Sequence, residues 1–291
     1  MASSKNKIKA YVFLLRLNRP IGIYLLLWPT LWALWIAGKG PPELRILAIF
    51  ILGTILMRSA GCLINDYLDR NLDQFVSRTK GRPMATGLVT RKEGLVIFGV
   101  LITFSALLVL MLNKTTIILS SVGLLLATTY PLAKRFWHLP QFHLGLAFSW
   151  GIPMAFSAVT GEVPIVAWSL YLSTIVWTMS YDTFYAMVDQ HDDLDAGIKS
   201  LALLFGREQS KIIILLQIIF LAFLIIIGKK EGFLFPYYLA LGLSSLCFIY
   251  QHRLITSREP AKCMKAFENN NFVGAIIFVG ITMSYHMSLS T

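Results

Sequence analysis

The sequence predicts an all-α integral membrane protein built from nine transmembrane helices. Three observations carry that prediction: a charge-poor composition, nine long apolar runs, and a one-sided distribution of cations. Of 291 residues, 56% are hydrophobic and 14% charged, with a mean hydropathy of +0.66. A soluble globule carries about 25% charged residues to solvate its surface. Composition thus excludes a disordered chain, a coiled coil and a secreted disulfide scaffold. Three cysteines (Cys62, Cys247, Cys263) cannot form a disulfide framework. A net charge of +11 would suit nucleic acid, but no basic stripe interleaved with stacking aromatics is present.

The apolar runs fall near 21–38, 44–63, 94–112, 115–133, 140–158, 164–181, 212–228, 233–250 and 272–288. Each approaches the ~20 residues that cross a bilayer as a helix. Gly38, Pro140, Pro164, Gly228 and Pro236 punctuate their ends. None alternates as a barrel strand does. The first run is too long and too rich in tryptophan for a secretory signal, and no small-residue cleavage site follows it, so it is expected to be retained. Its Trp28, Trp32 and Trp35 recur at helical spacing and read as packing or lipid-facing residues.

Cations set the orientation. With the N-terminus in the cytoplasm, that tail and the even loops hold 20 of the 26 Lys and Arg, and the opposite face holds five. Such a bias is the positive-inside pattern, and it explains the basic charge without nucleic acid. The remaining cation, Arg58, lies inside the second run. The chain then divides into a cytosolic segment 1–20, a four-helix half 21–134, a second half 135–250, and a cytosolic loop with the ninth helix, 251–291.

Every aspartate sits in one of two cytoplasmic stretches: Asp66, Asp69 and Asp73, then Asp182, Asp189, Asp192, Asp193 and Asp195. Asn65, Asp69 and Asp73 are spaced i, i+4, i+8, so a helix continuing from the second span aligns them on one face. Tyr185, Asp189 and Asp193 repeat that spacing after the sixth span, with Asp182 and Asp192 flanking. Like charges so spaced repel, and a hard divalent cation removes the repulsion; Mg²⁺ takes one or two carboxylates plus waters and phosphate oxygens. The two acid faces are expected to meet across a shared cavity. Four spans separate them, which preserves orientation and suggests two parallel halves. Cations follow each cluster: Arg78, Lys80 and Arg82, then Lys199. Together with a metal they suit a diphosphate, although each also serves as a topology signal; Arg91 and Lys92 are assigned to topology alone.

The string Met57-Arg58-Ser59-Ala60-Gly61-Cys62-Leu63-Ile64-Asn65-Asp66-Tyr67-Leu68-Asp69 through Asp73 closely resembles the UbiA superfamily of intramembrane prenyltransferases. So does Tyr181-Asp182-Thr183-Phe184-Tyr185-Ala186-Met187-Val188-Asp189 through Lys199-Ser200. Within that superfamily the loop Tyr130-Pro131-Leu132-Ala133-Lys134-Arg135-Phe136-Trp137-His138-Leu139-Pro140-Gln141 is similar to the branch that prenylates 4-hydroxybenzoate, with Trp137 where threonine is usual. The resemblance extends over essentially the whole chain.

The resemblance implies transfer of a polyprenyl group from its diphosphate to the ring carbon ortho to the hydroxyl of 4-hydroxybenzoate, in ubiquinone biosynthesis. It implies Mg²⁺ held by Asn65, Asp69, Asp73, Asp189 and Asp193. It also implies diphosphate bound by Arg78, Lys80, Lys134, Arg135 and Lys199, under a cytosolic helical cap over the two Asp-rich motifs. Asp66 and Asp182 are candidate proton acceptors or supporting groups. Tyr67, Tyr130 and Tyr185 are candidates to face an allylic cation, and interfacial anchoring is the competing role for each. The expected setting is a bacterial inner membrane with the site on the cytoplasmic side, in contact with membrane lipid and with no obligate protein partner or nucleic acid.

Arg58 lies seven and eleven positions before Asn65 and Asp69, on roughly the same helical face. Intramembrane arginine is costly and faces the bundle interior with a partner; here the expected partner is the benzoate carboxylate or backbone near the pocket. Cys62 reads as a small buried hydrophobe, since no Cys or His companion stands at ligand spacing, and His191 as a solvated neighbour. Two rival readings stay open: another branch of the superfamily with a different acceptor, and a cation-coupled transporter. Against the transporter, the acids lie at one membrane face rather than mid-span.

Overall fold

A helix satisfies its own backbone inside lipid, and the chain solves that problem throughout: every regular element among the described residues is helical. The structure, a computed structural model, describes residues 4–70, 79–136, 139–190 and 200–290. Asp73, Arg78, His191, Asp192, Asp193, Asp195 and Lys199 lie outside the described residues, as does Trp137.

Eight of the nine apolar runs fall mainly within one helix each, and the fifth within two. The elements are α1 (Ser4–Leu14), α2 (Ile21–Gly38), α3 (Leu44–Asp69), α4 (Arg91–Val109), α5 (Lys114–Phe136), α6 (Pro140–Ser149) and α7 (Gly151–Thr160). They continue as α8 (Ile165–Val188), α9 (Leu201–Phe205), α10 (Gln209–Lys230), α11 (Phe235–Ile255) and α12 (Pro260–Ser290). By length and composition, six helical stretches among the described residues can cross a membrane: Ile21–Gly38, Leu44–Asp69, Arg91–Val109, Pro140–Thr160, Leu201–Lys230 and Pro260–Ser288. The chain is a membrane protein.

Local chemistry places the ends. Thr90 and Glu93 form a capping box at α4, with the Glu93 N–H donating to Thr90 Oγ1 at 3.2 Å and the Thr90 N–H to Glu93 at 2.9 Å. Asn113 accepts the Thr116 N–H at 2.9 Å at the start of α5, and Ser200 caps α9. The fifth run is split at Trp150 into α6 and α7, because Pro153 has no N–H for the Ser149 carbonyl four residues earlier.

The bundle core is knitted by aromatic stacking and by three consecutive asparagines of α12. Trp32 of α2 stacks on Trp177 of α8 at 5.3 Å between centroids, and Trp177 on Phe220 of α10 at 5.5 Å. Asn269 accepts from Gln251 of α11 at 2.9 Å, Asn270 from the Trp177 indole at 2.9 Å, and Asn271 from the Trp28 indole at 2.8 Å. Successive helical positions point about 100° apart, so one short stretch reaches three helices. Where lipid and core are equally apolar, such hydrogen bonds and close packing hold helices together. Trp28 and Trp32 are thus packing residues.

At one end of the bundle α1 docks on α3 and α4. Leu14 and Leu63 are fully buried with Ala10, Met84 and Val89. Lys7 donates to Glu93, and that hydrogen bond raises the pKa of the lysine ammonium.

Candidate active site

The acid-bearing ends of α3 and α8 converge. They wall one chamber of about 460 Å³, to which α3 contributes Arg58, Cys62, Asn65, Asp66 and Asp69, and α8 contributes Tyr181, Asp182 and Tyr185, with Asp189 just past its end. The helical spacing puts these groups on the facing sides of two helices that the sequence separates widely. Tyr130 of α5 closes a third side. The Tyr185 ring packs on Phe267 of α12 at 5.1 Å between centroids.

Asp66 and Asp69 are almost wholly buried, 1% and 3% exposed. A buried carboxylate needs ionic or hydrogen-bonding partners, and Asp66 has two guanidinium groups. Arg16 Nη2 donates to both its oxygens at 2.8 and 3.0 Å, and Arg82 Nη1 stands 3.0 Å away. Arg82 also lines the chamber, whereas Lys80 is exposed and outside the lining. Lys134 and Arg135 fall in the last turns of α5. Tyr67 is outside the lining; Arg70 lies over its ring at 5.2 Å.

A second cavity, apolar and about 240 Å³, lies among α2, α3, α4, α5 and the α6–α7 break. It shares Arg58, Gly61, Tyr130 and Phe148 with the first chamber. Arg58 thus stands where a polar room meets a greasy one. Its guanidinium carbon lies 5.2 Å from the Phe148 ring centroid, and its buried Nε has no hydrogen-bond partner among the described residues. A buried donor left unmatched costs about 1–3 kcal/mol, so the site favours a ligand acceptor there.

Polar chamber residues without an assigned role in the sequence reading include Arg16, Asn18, Arg19, Gln141 and Glu268. Arg16 and Arg19 counted only as topology charges, and their pairing depends on tertiary contacts. Gln141 sits in the Pro-Gln pair of the Lys-Arg loop, which was the available signal. It is buried and accepts the Leu201 N–H at 3.1 Å, tying α6 to α9 beside the chamber.

Among the described residues no group of three His, Cys, Asp or Glu side chains is close enough to hold a metal alone. Mg²⁺ needs less, since phosphate and water oxygens complete its octahedron. The oxygen donors of Asn65, Asp69, Asp182 and Asp189 in one chamber fit that chemistry.

Comparison with known proteins bears on the family and the fold. Residues 26–278 match the model of the UbiA prenyltransferase family. The chain is 52% identical to a 4-hydroxybenzoate octaprenyltransferase of Citrobacter koseri, over 97% of this chain and 98% of that one. It is 53% identical to a 4-hydroxybenzoate octaprenyltransferase of Photobacterium profundum, with the same coverages. Its fold is similar to that of a UbiA homologue from Aeropyrum pernix, with a TM-score of 0.79, 23% identity, and 89% and 97% of the two chains covered. It is also similar to a UbiA homologue from Archaeoglobus fulgidus bound to GPP and Mg²⁺, with a TM-score of 0.73, 16% identity, and 95% and 99% covered.

Proposed function

As the chain belongs to the UbiA prenyltransferase family, we propose that it transfers a polyprenyl group from polyprenyl diphosphate to 4-hydroxybenzoate, releasing diphosphate. The acceptor is the ring carbon ortho to the hydroxyl, and the product feeds ubiquinone biosynthesis. The observation that carries this reading is the junction of the two rooms at Arg58: acids and arginines for a metal–diphosphate head in one, an apolar recess for an isoprenoid in the other. The names of the relatives at 52–53% identity supply the acceptor.

Asn65, Asp69 and Asp189, with Asp73 and Asp193 outside the described residues, would hold Mg²⁺, which when bound neutralises diphosphate charge and makes it a better leaving group. Arg82, with Arg78, Lys134, Arg135 and Lys199, supplies further positive charge to the departing oxygens, while Lys80, exposed and outside the lining, takes no part. The C–O bond to the allylic carbon breaks with its electron pair going to diphosphate. The ring carbon of 4-hydroxybenzoate then forms the new C–C bond, and its proton leaves to restore aromaticity. Tyr130 and Tyr185 face the chamber and stabilise the allylic cation through their rings. Asp182, which lines the chamber beside Tyr181 and Tyr185, is the proton acceptor in this reading, and Asp66, whose two oxygens accept from Arg16, is a supporting group. Arg58 pairs with the acceptor's carboxylate and so satisfies its Nε. A cap closing over the chamber would keep water from the cation.

In the membrane, we place all nine long helical units across the bilayer as two parallel four-helix halves plus a ninth span, in a bacterial inner membrane. The chamber faces the cytoplasm beneath a helical cap, following the positive-inside bias. The test incubates membranes containing the protein with Mg²⁺, polyprenyl diphosphates and labelled 4-hydroxybenzoate. A lipophilic labelled product that EDTA abolishes is expected; labelled product from other aromatic acids alone would reassign the branch. Accumulation of unmodified label in sealed vesicles would replace the enzyme by a transporter.

A further inference from the structure

We propose that Arg16, in the arm between α1 and α2, binds the diphosphate of the prenyl donor, and that Asp66 is the positioning residue that aims it. This rests on the reading above that the chamber takes a polyprenyl diphosphate.

Arg16 adopts a left-handed backbone conformation, φ 57°, which non-glycine residues seldom hold unless their surroundings impose it. The surroundings do. Leu14 is fully buried against Leu63 and its neighbours, and the Leu15 carbonyl accepts from Ser59 Oγ at 3.3 Å. Arg16 Nη1 donates to the Phe13 carbonyl at 2.9 Å, and Nη2 to Asp66. The arm is thus fastened to α3 just before the strained residue and again through its guanidinium, which is held at the chamber wall.

Within the triad Arg16–Asp66–Arg82, two guanidinium groups face one carboxylate. A guanidinium carries five N–H donors, and the contacts of Arg16 leave some of them for a ligand. Planar forks of this kind match phosphate oxygens in pairs, as a lysine does not. The chamber is also polarised. Arg16, Arg19 and Arg82 stand on the arm and on the segment preceding α4, while Asp69, Asp182 and Asp189 stand on the ends of α3 and α8. An anion with a bound cation presents both charges that such a chamber asks for.

The test measures binding of inorganic pyrophosphate with Mg²⁺ to the detergent-solubilised full chain by calorimetry, beside steady-state kinetics. Arg16→Ala is expected to weaken pyrophosphate binding by about tenfold or more, the scale of one lost charge-assisted hydrogen bond. It should raise KM for the prenyl donor while KM for the aromatic acid stays within about twofold. Arg16→Lys keeps the charge and the attachment to Asp66 but loses the fork, and should bind more weakly than wild type. Asp66→Asn should lower pyrophosphate affinity in the same direction and leave most of kcat at saturating donor. Wild-type affinity in both Arg16 variants overturns the assignment. So does an Asp66→Asn variant that loses kcat with pyrophosphate affinity intact, the signature of a proton acceptor. Wild-type protein that binds pyrophosphate through Arg16 yet prenylates no aromatic acid supports the assignment and refutes the acceptor reading alone.

Discussion

Gly22 of α2 is the surface on which Arg58 of α3 rests. A β-carbon at position 22 would stand 2.5 Å from Arg58 Nε and 2.6 Å from Nη2, closer than such atoms ever approach. Gly22→Ala therefore moves the guanidinium, which is the far end of a flexible side chain, and leaves the helices in place. The expected result is a thermal midpoint close to wild type with KM for the aromatic acid raised about tenfold, the scale of a charge-assisted contact. A large fall in stability with unchanged KM would show that the glycine serves packing alone.

Truncation of Arg58 itself should reproduce that change more strongly. Arg58→Ala removes the group at the junction of the two rooms, and KM for 4-hydroxybenzoate is expected to rise by one to two orders of magnitude, about 1.5–3 kcal/mol. An unchanged KM for the aromatic acid would take Arg58 out of acceptor binding.

Asp69 and Asp189 line the chamber from opposite helices. Alanine at either should abolish product formation without reducing the amount of protein in the membrane, and EDTA should do the same to wild type. Activity that survives EDTA would remove the divalent metal from the reaction.

Asn270 tests the fan of asparagines on α12. Its side chain is buried and accepts from the Trp177 indole while donating to the Ala266 carbonyl at 3.0 Å. Asn270→Leu strands a buried N–H, which costs about 1–3 kcal/mol. The variant is expected to denature several degrees earlier in detergent, with KM values for both substrates preserved. An unchanged denaturation midpoint would mean that the indole finds another acceptor.

The positions of the helices were legible because crossing a bilayer demands long apolar runs, and the chain obeys that demand almost without interruption. The pairing of α3 with α8 was legible in the matching spacing of Asn65 and Asp69 with Tyr185 and Asp189, since helical geometry turns spacing into a shared face. Arg16 was not legible. A cation before the first span reads as a topology signal, and only tertiary folding brings it to Asp66. Asn269, Asn270 and Asn271 were likewise silent, because three neighbouring polar residues on a helix point in three directions and their partners come from three other helices. The split at Trp150 could have been read from Pro153 but was hidden by the continuity of the apolar run.

The apolar recess is walled partly by Leu124, a residue that is 38% exposed. In the proposed seating, a donor placed head-first among the acids would trail its hydrocarbon through this recess toward the lipid and stay in the leaflet it came from. Supply becomes a two-dimensional affair in which encounter frequency follows the mole fraction of donor in the bilayer, not its bulk molarity. Diluting the vesicles with inert phospholipid should slow turnover while diluting them with buffer does not.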